Sequence, residues 1–184
     1  IALDEATRVA AETMTDRDRS EFLPADPVAF VDAQLAELSD VALRGAFNVR
    51  STTLGPVRRA AEVCHNHGAI LELNAHCRQA EMCAAGAGEA LLRDDEALTE
   101  QVRTAADAGT DVSVKVRAEV SGVDLPSLAR RLETAGAVAI HIDAMDSESV
   151  VAGVADATDL FVIANNGVRG RETAREYFDY GADA

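Results

Sequence analysis

The sequence predicts an α/β chain wound as part of a (β/α)₈ barrel, seen as an incomplete set of its strands and helices. Three observations predict it. Short apolar runs alternate with helical patterns at a repeat of roughly 25 to 35 residues, the spacing of parallel βαβ units with right-handed crossovers. The runs are continuous rather than alternating, as expected of strands with helices on one face and a packed interior on the other. Polar residues end several successive runs, and this is where barrels carry their chemistry. A doubly wound open sheet is the competing architecture. It is weakened because no Gly-x-Gly-x-x-Gly follows a first strand; Gly86 and Gly88 come well after theirs, with no third glycine.

Each element has a local cause. Asp4 to Met14 has helical spacing, with Asp4 as its cap. Arg17 to Pro27 is a polar connection, and Asp26-Pro27 opens a second helix through Leu38 with proline at its first position. Val41 to Val49 is a strand run broken by Gly45. Leu54 to His67 is helical and stops at Gly68. Ala69 to Leu73 is a strand, followed by a polar cluster and the glycine-bearing stretch Ala85 to Leu92. Asp95 to Ala108 and Leu125 to Thr134 are helices ended by Gly109 and Gly136. Asp111 to Val116, Ala137 to Ile142 and Leu160 to Ala164 are strands. Glu148 to Ala157 and Arg171 to Tyr180 complete the helices, and Gly181 to Ala184 reads as the start of a further strand. The whole of 1–184 is expected to be one barrel domain lacking its first strands and its C-terminal end.

Thirty-two acidic residues against 17 basic ones give a formal charge of −15, and only one of the basic residues is lysine. Such a chain repels nucleic acid unless a local basic patch intervenes. The same composition suits a salt-loving source, where ions screen the repulsion. Three cysteines, without paired metal-ligand spacing, fit a reduced cytoplasmic protein better than a disulfide framework. No run of about 20 apolar residues is present, so no membrane span is expected. There is no tryptophan, so a stacking platform for single strands is not evident.

Three different reactive groups fall at three strand ends. Cys77 lies four residues past the apolar run Ala69 to Leu73, where a thiol can serve as acid, base or nucleophile. Lys115, with Arg117 on the same strand face, sits in an otherwise apolar strand. A lysine there is costly unless it meets an anion or an electron-rich ring. His141 interrupts the next strand. Asn166-Gly167 follows the one after, where backbone N–H groups at a turn can hold phosphate. Each also has an ordinary structural reading: a half-buried thiol, a lysine reaching solvent, a core histidine, a plain turn. Cys64 is read as core, and His65 and His67 as residues of a helix end. His76, Cys77 and Cys83 lack the spacing and the fourth ligand of a zinc site, so no metal is expected.

These residues together resemble the dihydrouridine synthase family, flavin enzymes on a (β/α)₈ barrel related to dihydroorotate dehydrogenase. That family has an Asn-x-Gly-Cys-Pro loop, a glycine-rich stretch ending in Ala-Leu-Leu, a Lys-x-Arg strand, a histidine-bearing strand and an Asn-Gly phosphate loop. Here the same order reads Asn74-Ala75-His76-Cys77-Arg78, Gly86 to Leu92, Lys115-Val116-Arg117, His141 and Asn166-Gly167, over roughly residues 41 to 184. His76 stands where the family has glycine, and Arg78 where it has proline. Ile142-Asp143 replaces the Gly-Arg that commonly follows the histidine. The resemblance implies FMN at the barrel mouth, with Lys115 and His141 at its rings, Asn166 and Gly167 at its phosphate, and Asn48 as a further contact. It implies NAD(P)H as electron donor. It also implies hydride addition to C6 of a uracil ring, Cys77 protonating C5, and Asn74 and Arg117 orienting the substrate.

Three functions follow as expectations. The first is reduction of uridine in tRNA, favoured by the Cys77 loop and the Lys-x-Arg strand. The second is FMN-dependent turnover of a free pyrimidine such as dihydroorotate, favoured by the acidic charge and by the lack of the family's helical RNA-binding domain. The third is a non-redox barrel for a phosphate ligand. A homo-oligomer is compatible with all three.

Overall fold

The computed structural model describes residues 1–17, 19–144 and 147–184. Five parallel strands form one sheet: β1 (Ala46–Val49), β2 (Ile70–Asn74), β3 (Asp111–Arg117), β4 (Ala137–Asp143) and β5 (Phe161–Asn165). Their order across the sheet is their order along the chain, with no reversal. Among the described residues the helices are α1 (Glu5–Thr15), α2 (Pro27–Glu37), α3 (Leu54–Asn66), α4 (Ala80–Ala84), α5 (Asp95–Ala106), α6 (Leu125–Thr134), α7 (Ser149–Ala155) and α8 (Arg171–Asp179). One 3₁₀ turn spans Gly88–Leu92.

One face of the sheet is the core. Leu71, Leu73, Val112, Val114, Val116, Ile140, Ile142 and Val162 are buried there, and α3, α5, α6 and α7 pack in succession against it. The residues between them point to the other face, because side chains alternate along a strand. On that face the register aligns Asn48, Glu72 and Ser113 in one row. Asn74, Lys115 and His141 form the next, and Arg117, Asp143 and Asn165 the last. These rows are polar and mostly half-buried, unlike the apolar core face.

Expected and observed elements agree closely, with three differences. The run from Val41 forms strand only from Ala46. Residues 41–45 spend their backbone on local turns, with Val41 N–H bonded to the Leu38 carbonyl at 3.0 Å and Leu43 N–H to Val41 at 2.8 Å, so Leu43 stays exposed. The stretch after Cys77 folds as α4 and the 3₁₀ turn, separated by Gly86. The opening residues pair in parallel with the end of β1: Arg50 N–H donates to Ile1 at 2.8 Å and Leu3 N–H to Arg50 at 2.9 Å. At the other edge Asp183 and Ala184 donate to the Val162 carbonyl at 2.8 and 3.2 Å, so the last residues do run along β5.

Asp4 joins α1 to the loop that follows β1. It caps α1 through Thr7 N–H at 3.0 Å, and its other oxygen accepts from Ser51 Oγ at 2.8 Å and from the backbone of Thr52 and Thr53 at 2.5 and 2.9 Å. Gln101 from α5 closes the set on the Ser51 carbonyl at 2.9 Å. Burial alone would raise the Asp4 pKa, but these hydrogen bonds outweigh it and hold the carboxyl well below its usual range.

Candidate functional site

The polar rows at the C-terminal ends of the strands make the site, and two bridges cross β3 to build it. In the first, Glu72 of β2 gathers donors from three strands. Asn48 Nδ2 donates to one oxygen at 2.7 Å; Ser113 Oγ donates to the other at 3.2 Å, and His141 Nδ1 meets that same oxygen at 3.0 Å. Burial would raise the Glu72 pKa, but the bonds from His141 and Asn48, with the charge of Lys115, hold it below the ordinary value.

The second bridge lies one row past His141, nearer the C-terminal ends of the strands, the mouth of the site. His76 Nε2 meets Asp143 Oδ2 at 2.5 Å, Arg117 reaches the same oxygen at 3.2 Å, and Asn166 Nδ2 donates to Oδ1 at 2.5 Å. Arg117 also faces Glu89 at 3.6 Å. Burial would raise the Asp143 pKa; the bonds from Asn166 and His76 and the charge of Arg117 lower it overall. His76 is pushed below its ordinary value by burial, helped by the charges of Lys115 and Arg117, although Asp143 pulls the other way.

Between the bridges sits Lys115, half-buried, with Asn74 and His141 as its register neighbours. Its ammonium makes no hydrogen bond or ion pair to any described residue, although Glu72 and His76 feel its charge. Nearby, Asn165 Oδ1 is buried and likewise lacks a partner among the described residues.

The loop bearing Cys77 is held from both sides. Asn74 Oδ1 accepts from the backbone of His76 and Cys77 at 3.1 and 2.9 Å, and Asn74 Nδ2 donates to Asn48 at 2.9 Å. From below, Glu89 N–H donates to the Cys77 carbonyl at 2.9 Å. Gly88 has φ +61°, and a Cβ there would lie 2.2 Å from that carbonyl oxygen, so only glycine allows the approach. The Cys77 thiol is half-buried against the small cluster of Ala2, Ala11, Met14 and Met82. Its polar neighbour is Arg50, 4.0 Å from the sulfur, which is itself buried and ion-paired to Glu21.

All the expected residues therefore lie at one end of the sheet, but not all in the expected relation. Lys115 and His141 share a row, and Asn48 touches both Glu72 and Asn74. Asn74 and Arg117 are engaged with the protein itself, as loop support and as partner of Asp143. Cys77 turns to Arg50 instead of Lys115 or His141. Asn166 takes the left-handed backbone at φ +68°, followed by Gly167 at +75°. Two N–H groups past that turn, of Arg169 and Gly170, already bond Thr173 Oγ1.

Glu72, Asp143, Arg50 and the pairing role of His76 were not singled out by the sequence. One signal pointed to two of them: His76 and Asp143 both depart from the family pattern, and they touch each other. Among the described residues no group of three or more His, Cys, Asp or Glu is arranged to hold a metal, and no helix is long and apolar enough to cross a membrane.

The fold and site define an α/β protein with a parallel sheet and a polar constellation at its strand ends. No protein-family model matches the chain. An uncharacterized protein of Methanocaldococcus jannaschii is 25% identical over 191 residues, covering 97% of this chain and 72% of that protein.

Proposed function

We propose that the chain is a (β/α)₈-type, FMN-dependent oxidoreductase, related to the dihydrouridine synthases, that reduces the C5–C6 bond of a uracil ring. The observation that carries the reading is Lys115: the single lysine, half-buried in a polar frame, its ammonium outside hydrogen-bond and ion-pair distance of every described residue although Glu72 feels its charge. A cation without a direct contact keeps its donors for an anion or an electron-rich ring beside it. The strand order, free of reversal, supports barrel winding, since doubly wound sheets reverse theirs.

The residues present fit FMN. Lys115 and His141 line the open face for a ring system, Asn48 stands in the same frame, and the Asn166-Gly167 turn offers close backbone approach to a phosphate. Bound FMN would supply hydride, with NAD(P)H as the donor that restores it. Cys77 gives a proton to substrate carbon, with the Arg50–Glu21 pair beside the sulfur. Asn74 fixes the loop that presents the thiol; Arg117 and Asp143 form the wall facing the substrate.

One observation favours a free pyrimidine over tRNA as substrate. Both arginines built into the mouth are already neutralised, Arg50 by Glu21 and Arg117 by Asp143 and Glu89, in a chain of charge −15. These two pairs add little net positive charge to meet a phosphate backbone. The test is the absorbance spectrum of the purified protein, with acid release of the chromophore and titration of added FMN. Flavin bands, bleached by NAD(P)H, are expected, and Lys115→Ala is expected to lose flavin or its reduction. A colourless protein that takes up no FMN overturns the reading. Filter binding then separates tRNA from free uracil and orotate as ligands.

A further inference from the structure

His76 is held at both ends. Its backbone N–H is tied to Asn74 Oδ1 at 3.1 Å, and its ring Nε2 to Asp143 Oδ2 at 2.5 Å. Asp143 is itself buried and fixed by Arg117 and Asn166, so its carboxylate cannot turn away. A carboxylate accepts only, so the ring nitrogen facing it must carry the proton. In the neutral imidazole the other nitrogen, Nδ1, then keeps its lone pair. Nδ1 has no hydrogen bond to any described residue, and the side chain is 28% exposed at the mouth. The site thus presents a partly exposed acceptor whose ring is fixed from its other nitrogen, with Lys115 in the row beneath.

We infer that His76 is a specificity-determining residue of this site, accepting through Nδ1 a hydrogen bond from a ring N–H of a neutral heterocycle, with Asp143 as its positioning residue. An imide edge, with N–H flanked by carbonyl oxygens, supplies the N–H that His76 Nδ1 accepts, and Lys115 stays with the flavin. This rests on the pyrimidine-reducing function proposed above and names the feature of the substrate that the site reads. Charged groups facing His76 are Asp143 from β4 and Lys115 and Arg117 from β3, with Glu89 of the 3₁₀ turn behind Arg117. Burial and the two cations hold the imidazole neutral to below its ordinary range, so the acceptor is present at neutral pH and is lost in acid.

The experiment has two parts on the FMN-loaded protein. In the first, ¹⁵N NMR of the free protein reports which nitrogen of His76 is protonated at pH 7. Nε2–H is expected, and Nδ1–H overturns the inference without any ligand. In the second, uracil binding is measured by calorimetry across pH. Wild type is expected to bind evenly at neutral and mildly alkaline pH and to lose about tenfold per unit once His76 protonates. His76→Ala is expected to bind more weakly at neutral pH and to lose that slope, which separates it from any titration of His141. N3-methyluracil, lacking the imide N–H, is expected to lose affinity in wild type and to be little affected by His76→Ala. Asp143→Asn is expected to weaken uracil binding and to lower the pH at which His76 titrates, a shift that loss of packing alone does not produce. Equal slopes in wild type and His76→Ala overturn the role of His76 while leaving the pyrimidine reading standing. No uracil binding by wild type at any pH overturns both.

Discussion

Glu72 holds more of the site than any reactive group does. It receives Asn48, Ser113 and His141, so Glu72→Ala strands donors from three strands at once. Leaving buried donors unmade costs about 1–3 kcal/mol. A loss of that size is expected in urea denaturation, with a smaller one for Glu72→Gln, which keeps one carbonyl acceptor. Asp4 governs acid stability by the same logic. Its pKa is depressed in the fold, so its contribution is complete above the unfolded value of about 4 and drains away as pH falls through and below it. Asp4→Asn is therefore expected to be less stable than wild type near neutrality and to lose less on acidification, as denaturation midpoints at neutral and acid pH will report. Cys64 is fully buried on α3 and its thiol is pushed up to about 11 by burial. A thiol reagent should reach Cys77 in the native protein, and Cys64 only after unfolding.

At the scale of elements, the decisive piece is the turn under Cys77. Gly88 and Gly86 both have positive φ, at +61° and +85°, but only at Gly88 would a Cβ strike backbone; nothing lies within 4 Å at Gly86. Gly86→Ala should cost only the left-handed backbone penalty, roughly 1–2 kcal/mol. Gly88→Ala should cost more and displace the Cys77 loop, seen as a larger fall in melting temperature and a changed rate of thiol labelling. This element also shows where the sequence stopped being legible. Strands β2 to β5 announce themselves as apolar runs between glycines, because burial on one face leaves little choice of residue. The Cys77 loop was legible as a polar connection but not in its shape, since short polar turns are set by individual hydrogen bonds such as those of Asn74. Glu72 and Asp143 were hidden for a different reason. Among 32 acidic residues these two stand out only once the register shows both on the polar face of the sheet, Asp143 having been marked before that solely as a departure from the resembled pattern. Residues 41–45 misled in the opposite sense, their apolar side chains ending on the surface.

Over the whole molecule, a charge of −15 on 184 residues makes self-repulsion a standing cost. Raising sodium chloride from about 0.1 M to about 1 M shortens the screening length from about 10 to about 3 Å. The melting temperature is expected to rise with it, most steeply at the low end; a flat or falling curve would mean that paired charges outweigh the repulsion. The sheet keeps chain order, so every strand finds its partners among its immediate predecessors and successors. The ladders can therefore assemble stepwise, one unit upon the last. The two bridges cannot. Glu72 must wait for His141, and His76 for Asp143, each some 70 residues further along and with β3 lying between. Until β4 has docked, the mouth is a set of unpaired charges on a half-built sheet. Competence for the ligand proposed at Lys115 is thus a late event, and an absorbing ligand there would time the closing step of assembly and not its beginning.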